Sequence, residues 1–122
     1  LGNEEVKASI AGEIKPAKDF YDYEDKYING ASTYDIPAKI SEADMEKIRT
    51  MAIKAFKSLD GKGLSRVDFF IDKNSGEIFI NEINTLPGFT NISMYPKMWE
   101  ATGLEYSNLI DKLIELALDT KK

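Results

Sequence analysis

The alternation of apolar and polar positions is most regular in the middle of the chain, where two short segments face each other across a turn. Residues 66–71 read Arg-Val-Asp-Phe-Phe-Ile, residues 78–84 read Ile-Phe-Ile-Asn-Glu-Ile-Asn, and the run 73–76 between them, Lys-Asn-Ser-Gly, is rich in turn formers. This order predicts a β-hairpin. Because successive side chains of a strand point to opposite faces, one face should be apolar, formed by Val67, Phe69, Ile71, Phe79 and Ile83.

The opposite face of the hairpin should collect polar side chains at one end. If the strands pair symmetrically about Ser75, Phe70 lies opposite Ile80 and Asp68 lies opposite Glu82. The residues that strict alternation assigns to this face are Arg66, Asp68, Phe70, Ile78, Ile80, Glu82 and Asn84. The sequence therefore predicts two facing carboxylates with a guanidinium and an amide beside them.

Like charges placed directly opposite each other destabilise a strand pair, so this end of the hairpin should carry a compensating cation. One candidate is the guanidinium of Arg66, which would form a salt bridge. The other candidate is a divalent metal ion. Asp68, Glu82 and Asn84 offer only hard oxygen ligands, which suit Mg²⁺ or Mn²⁺, and the chain contains no His and no Cys. Spacing alone leaves both candidates open.

The remaining pattern predicts helices around the hairpin and a strand before it. Residues 6–15 alternate loosely and predict a strand, whereas residues 19–37, rich in Tyr and Asp, predict a long ordered loop. A helix should begin after Ser41 and end in the run 60–63, Asp-Gly-Lys-Gly. The side chains that recur on its buried face are Met45, Ile48, Ala52, Ala55, Phe56 and Leu59.

Two further helices should follow the hairpin. Pro96 suits the first turn of a short helix that Gly103 closes, and a last helix should start at about Tyr106. The apolar positions that should pack on the last helix are Leu109, Ile110, Leu113, Leu116 and Ala117. The predicted fold class is therefore α+β, an antiparallel sheet with flanking helices.

Composition narrows the range of partners. The 122 residues carry a net charge of −5, and their 16 basic residues are scattered, so a nucleic-acid partner is not expected. No apolar run approaches the roughly 18 residues of a membrane span. The absence of cysteine fits a cytoplasmic protein. Phosphate groups could still be neutralised by a metal ion together with Lys26 and Arg66.

The segment after Glu82 adds polar groups that a plain strand end would not need. Residues 84–90 read Asn-Thr-Leu-Pro-Gly-Phe-Thr, and Gly88 allows close approach of the backbone to a ligand. Residues 93–96 read Ser-Met-Tyr-Pro, and residues 20–27 read Phe-Tyr-Asp-Tyr-Glu-Asp-Lys-Tyr. Together with Arg66-x-Asp68 and residues 81–84, Asn-Glu-Ile-Asn, these motifs resemble the D-alanine–D-alanine ligases of the ATP-grasp superfamily.

The resemblance implies an enzyme that uses ATP to phosphorylate one D-alanine and then joins it to a second, giving D-alanyl-D-alanine for peptidoglycan synthesis. Asp68 and Glu82 would hold one Mg²⁺ or Mn²⁺ ion, and Glu82 and Asn84 would hold a second. Glu82 would thus bridge the two ions that bracket the transferred phosphoryl group of ATP. Arg66 and the Gly88 N–H would hold the oxyanion. Ser93 and the Met94 N–H would receive the carboxylate of the second D-alanine, beside Gly88.

Lys26 and Tyr27 fall in the segment that resembles the omega loop of this family, residues 19–37. By that resemblance Lys26 would contact the transferred phosphate of ATP, and Tyr27 would join a hydrogen-bond network around the first substrate. Ligases of this type that use D-lactate place a His in this loop. Because the chain has no His, D-alanine is the expected second substrate.

The resemblance covers the C-terminal part of such a ligase. Residues 1–122 would form the C-terminal part of the ATP-grasp domain, without the N-terminal domain and the first half of the ATP-grasp module. The isolated chain is therefore expected to lack activity, and the full-length enzyme is expected to be a homodimer. Two alternatives stay open: another ATP-grasp ligase that joins a carboxylate to an amine, and a non-catalytic folded fragment.

Overall fold

A computed structural model describes residues 1–15 and 33–119 of the chain. Its elements, in chain order, are β1 (Glu13–Lys15), β2 (Thr33–Asp35), α1 (Glu42–Ser58), β3 (Arg66–Ile71), β4 (Ile78–Asn84), α2 (Met94–Ala101) and α3 (Tyr106–Asp119). The strands form two separate two-stranded antiparallel sheets, β1 with β2 and β3 with β4. The predicted α+β class is confirmed, with two small sheets in place of one.

The first sheet is shorter than predicted. Of the predicted strand 6–15 only Glu13–Lys15 is a strand, and it pairs with Thr33–Asp35, which the prediction had placed in a loop. The chain before it makes other hydrogen bonds, including a reciprocal backbone pair between Leu1 and Lys7. Lys15 Nζ lies 2.8 Å from Asp35 Oδ2, and this hydrogen bond lowers the pKa of the Asp35 carboxyl.

Helix α1 follows the predicted start and end. The Ser41 hydroxyl accepts a hydrogen bond from the Asp44 N–H at 3.1 Å, which satisfies one of the free donors of the first turn. Ile48 and Phe56 are buried, as predicted, but Leu59 is 65% exposed. Leu59 is the C-cap residue, and the chain leaves the helix through Asp60 at φ 54°, so its side chain is no longer aligned with the buried stripe.

One cluster of buried residues lies between α2 and α3. Tyr95, Trp99 and Leu109 are buried together, and partly buried apolar residues pack against them: Leu1, Leu64, Phe89, Leu104 and Leu113. The predicted face of α3 is correct for Leu109 but wrong for Ile110 and Ala117, which lie on its exposed side. Across the described ranges, no helix combines the length and the apolar character that a membrane span needs.

The hairpin β3–β4 keeps the predicted register at one end only. Asp68 pairs with Glu82, as predicted, but Phe70 pairs with Phe79 and not with Ile80. The register shifts between Asp68 and Phe69, because Asn81 is an extra residue in β4 that forms a β-bulge. The bulge reverses the facing of the first half of β4 relative to a strict alternation.

Because of the bulge, Ile78, Phe79 and Ile80 lie on the faces opposite to those predicted. Ile78 and Ile80 pair with residues of the apolar face of β3, and Ile83 pairs with Val67 on that same face. Phe79 lies on the polar face instead, opposite Phe70. The hairpin therefore carries a more complete apolar face than the alternation predicts, on which Ile78 is buried and Ile80 is 44% exposed. The carboxylate pair lies on the other face.

Candidate active site

The polar face of the hairpin brings together the four side chains that the sequence assigned to it. In the strand register Arg66 pairs with Asn84 and Asp68 pairs with Glu82. Arg66 donates from Nε to Asp68 Oδ1 at 2.7 Å and from Nη2 to Asp68 Oδ2 at 2.9 Å. Its Nη2 also lies 4.0 Å from Glu82 Oε1. The guanidinium therefore compensates both carboxylates, as the first of the two sequence hypotheses expected.

The same residues also fit a hard divalent cation. Both Asp68 oxygens are engaged by Arg66, but the Glu82 side chain is 60% exposed and presents its carboxylate to solvent. Asn84 Oδ1 accepts the Leu86 N–H at 3.1 Å and keeps a second lone pair. Within residues 1–15 and 33–119, no group of three or more His, Cys, Asp or Glu side chains is arranged so that it could hold a metal ion. The oxygens of Asp68, Glu82 and Asn84 suit an Mg²⁺ ion whose coordination shell is completed by oxygens of a bound phosphate.

An exposed aromatic pair adjoins the carboxylates on this face. Phe70 and Phe79 face each other across the strands and are 62% and 47% exposed. Only Phe70 was assigned to this face from the sequence, because the bulge at Asn81 brings Phe79 there. The run Ile78-Phe79-Ile80 contains no polar residue, and that missing alternation was the available signal for an irregular strand.

The loop after β4 brings Thr90 into contact with Ser93 and places Gly88 beside the Ser93 side chain. A Cβ added to Gly88 would lie 3.4 Å from Ser93 Oγ, so the glycine leaves the space beside this hydroxyl open. The Thr90 N–H donates to Ser93 Oγ at 3.0 Å, and the two hydroxyls lie 2.9 Å apart. The Ser93 N–H in turn donates to the Thr90 carbonyl at 3.0 Å. The contact between Thr90 and Ser93 was not predicted from the sequence.

Ser93 is the N-cap residue of α2, but its hydroxyl does not cap the helix. An N-cap hydroxyl ordinarily accepts from the second or third N–H of the helix, and the third residue here is Pro96, which has none. The first helical N–H groups, of Met94 and Tyr95, precede the internal hydrogen-bond ladder and carry the positive end of the helix dipole. The N-terminus of α2 is thus suited to receive a carboxylate.

The core fixes this loop from behind. The Phe89 ring lies 6.0 Å from the Tyr95 ring and 5.6 Å from the Tyr106 ring, measured between centroids. The Tyr106 hydroxyl donates to the Phe89 carbonyl at 3.3 Å. Phe89 stands between Gly88 and Thr90 in the chain, so its burial holds both neighbours at the surface beside the start of α2.

The structure places the predicted site residues in two groups joined by a short link. The hairpin group is Arg66, Asp68, Glu82 and Asn84, and the loop group is Gly88, Ser93 and Met94. From Asn84 to Gly88 the chain takes four steps, which span at most about 14 Å. Lys26 and Tyr27, and residues 19–32 of the predicted omega loop, lie outside the described residues.

Comparison with known families decides the relationship. The family model described as D-ala D-ala ligase C-terminus matches residues 1–115. The chain belongs to this D-Ala-D-Ala ligase family. A relative from Heliobacterium modesticaldum, named D-alanine–D-alanine ligase, is 61% identical over 118 residues, which are 97% of this chain and 32% of that protein. The chain thus spans about a third of the length of the curated relatives that it matches.

Solved structures of this ligase family share the fold. A D-alanine-D-alanine ligase from Coxiella burnetii has a TM-score of 0.81 and 48% identity, over 98% of this chain and 30% of that one. The VanG D-Ala:D-Ser ligase from Enterococcus faecalis has a TM-score of 0.79 and 40% identity, over 95% and 34%. A D-alanine–D-alanine ligase from Bacillus anthracis, solved in complex with ATP, has a TM-score of 0.73 and 29% identity, over 92% and 36%.

Proposed function

We propose that the full protein carrying this chain ligates two D-alanines to D-alanyl-D-alanine through an acyl phosphate, at the expense of ATP, for peptidoglycan precursor synthesis. The observation that carries the proposal is the pairing of Asp68 with Glu82, compensated by Arg66, on a hairpin whose next loop presents Gly88 and Ser93 at a helix N-terminus. Relatives that are about 60% identical to the chain are named D-alanine–D-alanine ligase.

The hairpin group is proposed to bind the ATP phosphates. Asp68, Glu82 and Asn84 would hold two Mg²⁺ or Mn²⁺ ions, with Glu82 shared between them, and such ions neutralise phosphate charge during phosphoryl transfer. The exposed rings of Phe70 and Phe79 offer flat apolar surfaces beside this group, which suit the base of a nucleotide. ATP is the proposed nucleotide.

The loop group is proposed to bind the amino acids. Arg66 and the Gly88 N–H would stabilise the oxyanion that forms when the second amine attacks the acyl phosphate. A planar guanidinium fits the geometry of carboxylate and phosphate groups better than the ammonium of a lysine would. Ser93 and the Met94 N–H would hold the carboxylate of the second D-alanine at the start of α2, with Gly88 beside it.

Lys26 and Tyr27 are proposed to complete the site from segment 19–37, Lys26 at the transferred phosphate and Tyr27 beside the first D-alanine. D-Alanine is the proposed second substrate. D-Lactate is disfavoured because the chain contains no His. D-Serine is the competitor to test, because a D-Ala:D-Ser ligase also matches the fold over most of the chain.

The test is MgATP-dependent phosphate release by the full protein, with product identified by mass spectrometry. D-Alanine alone should give phosphate and D-alanyl-D-alanine. A mixture of D-alanine with D-serine or D-lactate should still give mainly D-alanyl-D-alanine. Phosphate release that requires a different amino acid, with none from D-alanine, would favour another ATP-grasp ligase of carboxylates and amines.

For the 122-residue chain by itself we propose a folded but inactive part of the enzyme, the C-terminal part of the ATP-grasp domain. Calorimetric titration with MgATP should then show no tight binding, and tight binding would contradict this proposal. A homodimer is proposed for the full protein, and its mass in solution by light scattering tests that directly. A cytoplasmic location stays a prediction.

A further inference from the structure

Thr90 has no role in the proposed chemistry so far, yet its side chain and backbone both contact Ser93. The Thr90 N–H donates to Ser93 Oγ at 3.0 Å, and Thr90 Oγ1 lies 2.9 Å from the same oxygen. The second contact is compatible with either hydroxyl as the donor. Which of the two donates decides whether Ser93 keeps a proton for a substrate.

Counting lone pairs separates the two arrangements. A serine hydroxyl has one proton and two acceptor lone pairs. The Thr90 N–H already occupies one lone pair of Ser93. If Thr90 also donates its hydroxyl proton, both lone pairs are filled, and the Ser93 proton must point toward another acceptor. If Ser93 donates to Thr90 instead, that proton is no longer available to a ligand.

A bound carboxylate favours the first arrangement. It accepts hydrogen bonds and donates none at neutral pH, so it gains from a Ser93 proton that is directed at it. Resting on the proposed function, we propose that Thr90 is a positioning residue. Its hydroxyl donates to Ser93 Oγ and thereby directs the Ser93 O–H toward the carboxylate of the second D-alanine.

The local structure holds Thr90 in place for this role. The Ser93 N–H donates to the Thr90 carbonyl at 3.0 Å and closes the turn between the two residues. The preceding residue, Phe89, packs against the core cluster, and its carbonyl accepts a hydrogen bond from the Tyr106 hydroxyl. A β-branched side chain has few χ1 rotamers, so Thr90 presents its hydroxyl at a small entropic cost. Pro96 at the third helical position leaves Ser93 free to turn toward Thr90.

Initial-rate kinetics of the full protein test the proposal. Thr90→Val removes the hydroxyl and keeps the branched shape and the N–H, Thr90→Ser restores the hydroxyl, and Thr50→Val on the exposed side of α1 is the matched control. Thr90→Val should raise the KM for the second D-alanine about tenfold, the value of one net hydrogen bond, with the KM for ATP unchanged. Thr90→Ser should recover most of the loss, and Thr50→Val should match the parent protein.

Two further measurements separate positioning from a general structural effect. In a Ser93→Ala background, Thr90→Val should have little additional effect, because the two residues act through one hydroxyl. With D-alaninamide as the acceptor, which has no carboxylate, Thr90→Val should change the KM for the acceptor little. The proposal would be overturned if Thr90→Val raised the KM for the acceptor as much in the Ser93→Ala background, or with the amide, as it does in the parent with D-alanine. It would also be overturned if Thr90→Val left the KM for D-alanine unchanged. A parent protein that releases no phosphate with D-alanine would instead refute the proposed function.

Discussion

Arg66 binds both carboxylate oxygens of Asp68, two positions along the same strand, at 2.7 Å and 2.9 Å. Residues i and i+2 of a strand share a face, so the guanidinium reaches its partner without leaving the hairpin. The same group lies 4.0 Å from Glu82. Arg66 therefore compensates the charge of the carboxylate pair, and a cation that binds Asp68 must compete with it.

Removing Arg66 should separate metal binding from turnover. Arg66→Ala should tighten Mn²⁺ binding several-fold in the absence of nucleotide, because a positive charge leaves the carboxylate pair. It should lower kcat by about 100- to 1,000-fold, the usual cost of losing one oxyanion donor. Electron paramagnetic resonance of free Mn²⁺ measures the first effect, and phosphate release measures the second.

Arg66→Lys extends this experiment. Lysine keeps the charge but cannot span two carboxylate oxygens, so it should also lower kcat. Arg49→Lys is the control, since Arg49 lies on α1 and donates to the Ala8 carbonyl at 2.9 Å, away from the hairpin. Mn²⁺ affinity that stays the same in Arg66→Ala would show that the guanidinium does not compete with the metal.

The sequence predicts the pairing of Asp68 with Glu82 correctly, although the symmetry about Ser75 from which it follows does not hold at the turn. Next to the turn Phe70 pairs with Phe79, one residue away from that symmetry, and the extra residue Asn81 restores the predicted register at Glu82. The apolar run 78–80 indicates an irregular strand, but it does not identify Asn81 as the residue that is left unpaired. The predicted faces of residues 78–80 are therefore wrong, whereas those of residues 82–84 are correct.

Deleting Asn81 should keep both faces of the hairpin and remove only the bend at the bulge. Glu82 and Ile80 flank Asn81 and pair with the consecutive residues Asp68 and Phe69, so without Asn81 the pairs and their faces can stay the same. We expect a melting temperature and an Mn²⁺ affinity close to those of the parent, measured by calorimetry and by Mn²⁺ titration. Asn81→Ala keeps the bulge and should also change both quantities little. A deletion variant that loses Mn²⁺ binding would show that the bend at Asn81 is needed to place the carboxylates.

Glu82 should be the least replaceable metal ligand, since it is proposed to serve both ions. Glu82→Gln preserves the shape and removes the charge, so kcat should fall at least about 100-fold and the Mg²⁺ concentration for half-maximal activity should rise. Glu77→Gln, an exposed residue in the hairpin turn, is the matched control and should leave both values unchanged. Activity of Glu82→Gln close to that of the parent at ordinary Mg²⁺ would remove Glu82 from the metal site.

The loop group was predicted less completely than the hairpin group. Resemblance to the ligases gave Gly88, Ser93 and Met94, but nothing in periodicity indicates that Thr90 would turn its hydroxyl onto Ser93. A signal did exist, because Pro96 at the third helical position denies Ser93 its ordinary capping partner. Contacts of this kind depend on how the core holds Phe89, which a local pattern does not contain.

Tyr95 supplies a test of the core that supports this loop. Its side chain is 4% exposed, and its hydroxyl has no hydrogen-bond partner among the described residues. Tyr95→Phe should therefore leave stability at neutral pH unchanged or raise it, because an unpaired buried hydroxyl costs about 1–3 kcal/mol. Tyr106→Phe is the contrasting variant and should lower stability, since it removes the hydrogen bond to the Phe89 carbonyl.

High pH should distinguish the parent from Tyr95→Phe. Burial raises the pKa of the Tyr95 phenol from 10.0 to about 12. Between these values the unfolded chain loses the proton and the folded protein keeps it, so stability falls as pH rises from about 10 to 12, by about 3 kcal/mol in total for two pKa units. Tyr95→Phe should lack this component, which urea unfolding at pH 8, 10 and 11 would measure. Parallel pH curves for the two proteins would show that the phenol is solvated or paired in solution.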